Sequence, residues 1–556
     1  MEVLHKKPRH RIGTWIIAVM ACLLTVFTPA PGKADQPVVK NVIVLMADGC
    51  GINHTTIARW YKGASLAIDN AACGLVRTYS ADSIITDSAP AATAFATGHK
   101  TDDKFIGVLP NRTIIPGVKP TAEDRRFKPV ATVLEGAKYI GKATGLVVTS
   151  NVQHASPAGY SAHWPDRSNF HEIAVQQVHQ NIDVVFGGGA RYLLPKEKGG
   201  SREDEEDLLD ILKSRGYAIV YTREAMIACR ENKVWGLFAQ DAMSYEADRP
   251  LVAPTEPSLA EMTSKAIEIL SRKEKGFFLF VEGSKIDWAS HANDPVGVIS
   301  DLLAFDDAAR IALEFAKKDG NTLVLIFSDH DNGGLSIGST QSDKTYASTS
   351  YEALVTPLKR ARLTGEGVEK MLRGDRSETA IRQMVEQYYA ISDLSDEDVN
   401  KIKETRKGHM NSALGPILSA RSVIGWTTHG HNGADVPLYA FGPGRPSGVI
   451  DNTELASIMA AAMGFDLNRM DARLFVEARS LLKDIGAEIR IDQHRMGHPV
   501  LMVEKEGKTA SMPLGRNILK TDQAVFELKS LFIFAPGTDR AYIPAQTIDL
   551  LKAAGF

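Results

Sequence analysis

A three-layer α/β fold around a mainly parallel central sheet is predicted by three near-continuous apolar runs, 41–47, 277–281 and 322–328, each followed at once by an acidic residue. Runs that barely alternate fit strands covered on both faces, as parallel strands are. Between and beside them, 129–141, 258–272 and 295–317 have the periodicity of crossover helices. Ligands in such sheets bind just beyond the C-terminal strand ends, so Asp48, Glu282 and Asp329 are expected on one rim. At 556 residues and 44% hydrophobic content the chain can bury a large core.

Taken in order, residues 1–34 read as a signal peptide. Lys6, Lys7, Arg9 and Arg11 precede an apolar core, 15–27, too short to span a bilayer, and 29–34 offers a cleavage region. A periplasmic or secreted chain with no stable membrane span after processing is therefore expected. Processing would remove five of 64 basic and one of 67 acidic residues, moving the net charge from −3 to −7. That balance argues against nucleic-acid binding. Cys50, Cys73 and Cys229 would remain, an odd number, so disulfides are not what holds the fold together. Cys50, two residues after Asp48, fits a small buried side chain better than a metal ligand.

The main domain is placed at 35–465. Its first strand leads into Asp48-Gly49, and the next signal is Thr86-Asp87-Ser88-Ala89-Pro90-Ala91-Ala92-Thr93-Ala94. Ser88 reads as the N-cap of a helix that Pro90 suits and Gly98 ends. Free N–H groups and the positive dipole end at such a start favour an anion. The second acid-ended run continues as Glu282-Gly283-Ser284-Lys285-Ile286-Asp287-Trp288-Ala289-Ser290-His291. Asp287 and His291, four residues apart, share a helix face and suit one metal ion. The third run ends in Asp329-His330, and His429 and His431 add two imidazoles. Carboxylates gathered this closely would repel one another unless cations sit among them. The sequence places no histidine near Ser88, so a metal is the expected activator of its hydroxyl.

Between Asp329-His330 and His431, residues 331–425 read as an inserted, largely helical lobe with helices at 367–371, 377–389 and 395–407. Residues 466–556 read as an appended β-rich segment with strands at 499–503, 508–513, 524–534 and 541–543 and a helix at 547–554.

These four motifs, in this order, make the chain resemble the alkaline phosphatases from about residue 41 to 443. The resemblance implies a metal-dependent hydrolase of small phosphate monoesters that works through a phosphoserine and releases inorganic phosphate. It implies two Zn2+ and one Mg2+. Ser88 would be the nucleophile, and Arg167, in His163-Trp164-Pro165-Asp166-Arg167, the phosphate clamp. Asp287, His291 and His431 would bind one zinc, Asp48, Asp329 and His330 the second, and Asp48, Ser156 and Glu282 the magnesium. His431 is preferred over His429 because the family's histidine precedes a Gly-Pro by a fixed interval, which His431 keeps to Gly442-Pro443. Asp87, His154, Trp288 and His429 would touch these groups without binding metal. Many members carry Asp-x-Thr where this chain has His154-Ala155-Ser156, and some carry lysine where it has Trp288. An imidazole there suits softer ions, so zinc or cobalt is the alternative third cation. A homodimer is a further expectation. The competing readings are a phosphodiesterase or sulfatase-like relative on the same fold, and a catalytically silent metal- or phosphate-binding protein.

Overall fold

The computed structural model describes residues 38–493 and 499–556. The leader reading for 1–34 lies outside them. Ten strands form the central sheet: β1 (Asn41–Ala47), β2 (Ala72–Arg77), β3 (Ala143–Asn151), β4 (Val184–Gly188), β5 (Ala218–Val220), β6 (Val234–Leu237), β7 (Phe277–Gly283), β8 (Thr322–Phe327), β9 (Val436–Phe441) and β10 (Gly448–Asp451). Their order across the sheet is β10-β2-β9-β8-β1-β7-β3-β4-β6-β5. Only β9 runs antiparallel to its neighbours, β2 and β8; all other pairings are parallel.

The three acid-ended runs are the centre of this sheet. In register, Met46 of β1 lies opposite Glu282 of β7 and Phe327 of β8, so Asp48, Glu282 and Asp329 leave one edge together. Both faces are covered. Val42, Val44, Phe278, Phe280, Leu323 and Leu325 pack under α1 (Ser88–Thr97), α3 (Phe170–His179) and α8 (Asn452–Met463). The alternate residues Ile43, Leu45, Leu279, Val281, Val324 and Ile326 pack under α4 (Leu259–Leu270) and α6 (Pro295–Asp319). Two short helices complete the rim, α2 (Ala155–Ser161) after β3 and α5 (Lys285–His291) after β7. Among the described residues, no helix is long and apolar enough to cross a membrane.

The stretch between β8 and β9 is helical and includes α7 (Gly365–Leu372). Its apolar side chains, among them Val368, Leu372, Ile381, Val385 and Ile402, share a core with Val296 and Ile299 of α6. Two helices there, Tyr351–Arg360 and Met410–Arg421, were not expected from sequence. Each contains an internal proline, Pro357 or Pro416, a residue that reads as a helix breaker.

The C-terminal region builds a five-stranded antiparallel sheet from Glu488–Asp492, Val500–Lys505, Lys508–Pro513, Ile518–Thr521 and Val525–Glu527, with its own apolar core. The run expected as one strand over 524–534 is divided. Val525–Glu527 joins that sheet, while Ile533–Ala535 pairs with Arg540–Ile543 in a separate one.

Candidate active site

The nucleophile candidate stands at the start of α1, but Ser88 is not the cap. Asp87 is, its carboxylate accepting the Ala89 N–H at 3.3 Å; Ser88 is the first helical residue. Aspartate and serine both cap well, and the sequence alone cannot rank adjacent candidates. Alanines along α1 let α2 approach so closely that a Cβ on Gly159 would lie 2.8 Å from that of Ala92.

Beyond β1, Gly49 has φ +69°, and a Cβ there would lie 2.7 Å from Asp287 Oδ1 and 2.8 Å from Asp287 Cα. Only glycine fits on both counts. Asp287 consequently lies at the centre of the rim. Its Oδ2 is 3.4 Å from His291 Nε2 and its Oδ1 is 3.5 Å from His431 Nε2, and the two Nε2 atoms are 3.2 Å apart. Both Nδ1 atoms donate to backbone carbonyls, His291 to His429 at 2.6 Å and His431 to Thr86 at 2.9 Å. Each Nε2 is thereby directed at the cluster. His429 faces away, donating from Nδ1 to the carbonyl of His291 at 3.0 Å.

His330 occupies the neighbouring position. Its Nε2 lies 3.1 Å from Ser88 Oγ, 3.2 Å from Asp329 Oδ2 and 3.7 Å from Asp48 Oδ1. An imidazole that is remote from Ser88 in sequence is thus adjacent in space. The ligand atoms of Asp287, His291 and His431 fall within 4.8 Å of one another, and so do those of Asp48, Asp287 and His330. Asp287 therefore faces both groups. Asp329 Oδ1 accepts the N–H groups of Gly49 and His330, each at 3.1 Å, which leaves Oδ2 toward His330.

The donor set fits cations. Asp48, Ser156, Glu282, Asp329 and His330 are fully buried. Both Asp48 oxygens, Glu282 Oε1, Ser156 Oγ, Asp329 Oδ2 and His330 Nδ1 have no hydrogen-bond partner. Buried carboxylates left this way cost several kcal/mol unless a positive charge joins them. Burial first, then Asp329, Asp287 and Glu282, pushes the Asp48 carboxyl well above its ordinary range, and burial lifts Glu282 to about 7. Burial would also raise Asp287, but its bonds to His291 and His431 outweigh that and hold it well below normal. The same contact works on His431, which burial would depress and Asp287 brings to about 9.

Arg167 reaches in from the loop before α3. Its Nη1 donates to Asp87 Oδ1 at 2.6 Å and its Nη2 to His154 Nε2 at 3.2 Å. Burial and the Arg167 charge lower His154 to about 3, so its ring is a neutral acceptor. Trp288 stands edge-on to that ring at 5.5 Å. Cys50 is buried with its thiol pushed up, first by burial, and is free, as are Cys73 and Cys229.

Some residues around the rim were not singled out from sequence. Asn332 Nδ2 donates to Asp287 Oδ1 at 2.7 Å and to its carbonyl at 3.1 Å. Ser328 Oγ accepts the Cys50 N–H and donates to the His330 carbonyl. Asn332 had a signal, the polar run Asp329-His330-Asp331-Asn332 after an apolar strand.

Comparison with known proteins agrees with this geometry. The family model described as alkaline phosphatase matches residues 39–465. Alkaline phosphatase 3 of Bacillus subtilis is 36% identical over 462 residues, 79% of this chain and 92% of that protein. The crystal structure of Thermus thermophilus alkaline phosphatase superposes with a TM-score of 0.68 at 27% identity, covering 78% of this chain and 93% of that one. A histidine-to-aspartate mutant of TAB5 alkaline phosphatase, with Mg bound in the M3 site, superposes at 0.55 and 28% identity, covering 78% and 99%. Sheet order, buried donor set and these matches agree that the chain belongs to the alkaline phosphatase family of metal-binding hydrolases.

Proposed function

We propose that the chain, a phosphate monoester hydrolase by its family, works through a phosphoserine at Ser88. The observation that carries this is the placement of Ser88 Oγ 3.1 Å from His330 Nε2, at a helix start, with Arg167 fixed to the adjacent Asp87. Asp287, His291 and His431 would hold one zinc, Asp48, Asp329 and His330 a second, and Asp48, Glu282 and Ser156 a magnesium ion. Bound there, such ions supply Lewis acidity that acidifies nearby hydroxyls and water and neutralises developing charge on oxygen.

The chain's own groups do the rest. Ser88 Oγ forms the new bond to phosphorus as the bond to the alcohol oxygen breaks; the Ser88 hydroxyl proton passes to solvent, and the alcohol leaves with a proton from solvent. Arg167 presents its fork to two phosphoryl oxygens. The positive dipole end at the start of α1 faces the same anion. Water then cleaves the phosphoserine, restoring the hydroxyl and releasing inorganic phosphate. His154, neutral and accepting from Arg167, orients the guanidinium and stays outside the magnesium ligands.

We read 35–465 as the catalytic domain with 331–425 inserted, 466–556 as an appended unit, and 1–34 as a leader for export to the periplasm or medium; the basic start and short apolar core of the leader support that location. Ser88→Ala should lower kcat by at least ~10²-fold with zinc content unchanged. Near-normal kcat in that variant would sink the phosphoserine reading.

A further inference from the structure

Lys285 opens α5 two residues before Asp287, and its side chain is 2% exposed. Nζ donates to the Met243 carbonyl at 3.0 Å and lies 3.4 Å from Glu366 Oε2. It also stands over two aromatic rings, 3.9 Å from the centre of Tyr245 and 5.0 Å from that of Trp288. A desolvated ammonium over aromatic faces beside a carboxylate is held in one place. Glu366 belongs to α7 of the helical lobe, and Lys370 secures its other oxygen at 2.8 Å. Burial alone would raise the Glu366 carboxyl; Lys285, then Lys370, bring it below its ordinary range.

α5 has no helix cap at this end. It has seven residues, and Ser284 at its N-cap makes no capping bond. The Ser284 hydroxyl donates instead to Glu282 Oε2 at 2.7 Å. A one-to-two-turn helix without a cap has little hold on its own register. The far end is fixed by the bond from His291 to the His429 carbonyl. At the near end Ser284 is held to β3, its N–H donating to Thr149 Oγ1 at 3.0 Å and its Oγ accepting the Ser150 N–H at 3.1 Å, and Lys285 adds the link to the lobe.

We propose that the Lys285–Glu366 ion pair is a positioning pin, which ties the start of α5 to the helical lobe and so sets where Asp287 and His291 present their ligand atoms. The proposal rests on the reading of those two residues as zinc ligands. The lobe, through α7, becomes part of what determines how tightly that zinc is held.

The test compares zinc-loaded wild type with Glu366→Gln, Lys285→Met, Lys285→Arg and the double variant Lys285→Met/Glu366→Gln. Zinc loss to a chelator, thermal midpoint, and kcat and KM on 4-nitrophenyl phosphate are measured for each. Glu366→Gln, which keeps the shape and removes the charge, should release zinc ~10-fold faster and lower kcat while leaving KM nearly fixed. Lys285→Arg should stay within about twofold of wild type, and the double variant should release zinc no faster than Lys285→Met alone, because both changes remove one interaction. Lowered midpoints with wild-type zinc release in Glu366→Gln and Lys285→Met would overturn the proposal and leave the pair purely structural. An Asp287→Ala variant separates the two claims: full zinc content there overturns the ligand reading itself.

Discussion

The rim of the sheet and the seam beneath the C-terminal unit both bury polar groups, yet Asp48 at the one and His179 at the other are treated in opposite ways. At the rim, both Asp48 oxygens, Glu282 Oε1, Ser156 Oγ and Asp329 Oδ2 are buried without hydrogen bonds. At the seam, His179 ends α3 with both ring nitrogens engaged, Nδ1 donating to Asn517 Oδ1 at 3.1 Å and Nε2 accepting from Arg516 at 3.2 Å, while Arg215 also donates to Asn517 Oδ1 at 3.1 Å. Arg516 in turn forms a fork on Glu206 at 2.7 and 2.9 Å. Phe475 closes edge-on over His163, whose Nε2 is 3.0 Å from Glu135. Completed bonding marks groups that serve the fold, and incomplete bonding marks groups kept for something that binds.

The comparison predicts crossed effects, the strongest at Asp48. Asp48→Asn should cost ~10³-fold or more in kcat/KM, since Lewis-acid assistance is worth several kcal/mol. The same change should raise the thermal midpoint of the metal-free protein, because a neutral amide is cheaper to bury than this carboxylate. A metal-free midpoint that falls instead would break the contrast from the rim side.

From the seam side, Glu135→Gln should cost about 3 kcal/mol of stability by leaving His163 unpaired in the interior. The pair also has a pH signature. Burial would lower His163, but Glu135 raises it above its ordinary value, so that contribution is complete below about 6.5 and is lost as pH rises through the raised value. Burial would raise Glu135, but His163 holds it down, so its contribution is present above about 4.3 and lost as pH falls through the lowered value. Urea midpoints for wild type and Glu135→Gln should therefore converge at both extremes. A constant gap across pH would refute the ionic account.

Arg516→Ala should have a smaller effect, about 2 kcal/mol from lost charged hydrogen bonds, with kcat unchanged once metal is saturating. A fall in kcat there would mean the seam reaches the chemistry through α3. Least of all, His154→Asp should strengthen stimulation by magnesium a few-fold in the zinc-loaded enzyme, as an added oxygen ligand suits that ion. Three zinc ions per chain, with full activity in excess magnesium, would show that His154 ligates directly in the unchanged protein.

These two regions also differed in legibility. The rim could be read because three apolar runs each stop at an acid, and strand ends in a parallel sheet share an edge whatever the loops do. The seam could not, because Arg516 and Glu206, or His179 and Asn517, are separated by hundreds of residues and carry no local pattern. Local competition blurred the details. Asp87 took the cap expected of Ser88, and Pro357 and Pro416 hid two helices. Asn332 was readable as polar but not as the partner of Asp287, a contact created only when the segment Asp331–Asn332 pairs with His431–Asn432.

That pairing sits inside a larger one. β8 and β9 are antiparallel neighbours, with Phe327 opposite Leu438. The chain leaves the rim at His330 and returns to it at His431 without crossing the sheet, so the whole helical lobe is the loop of one oversized β-hairpin. A hairpin loop can change length without disturbing its strands. Here, though, the loop's two stems are metal-ligand candidates, and whatever shifts the lobe pulls on both at once. Reversing a single strand also moved a ligand from the tail of its strand to the head: Asp48 and Asp329 follow β1 and β8 and Glu282 is the penultimate residue of β7, while His431 precedes β9.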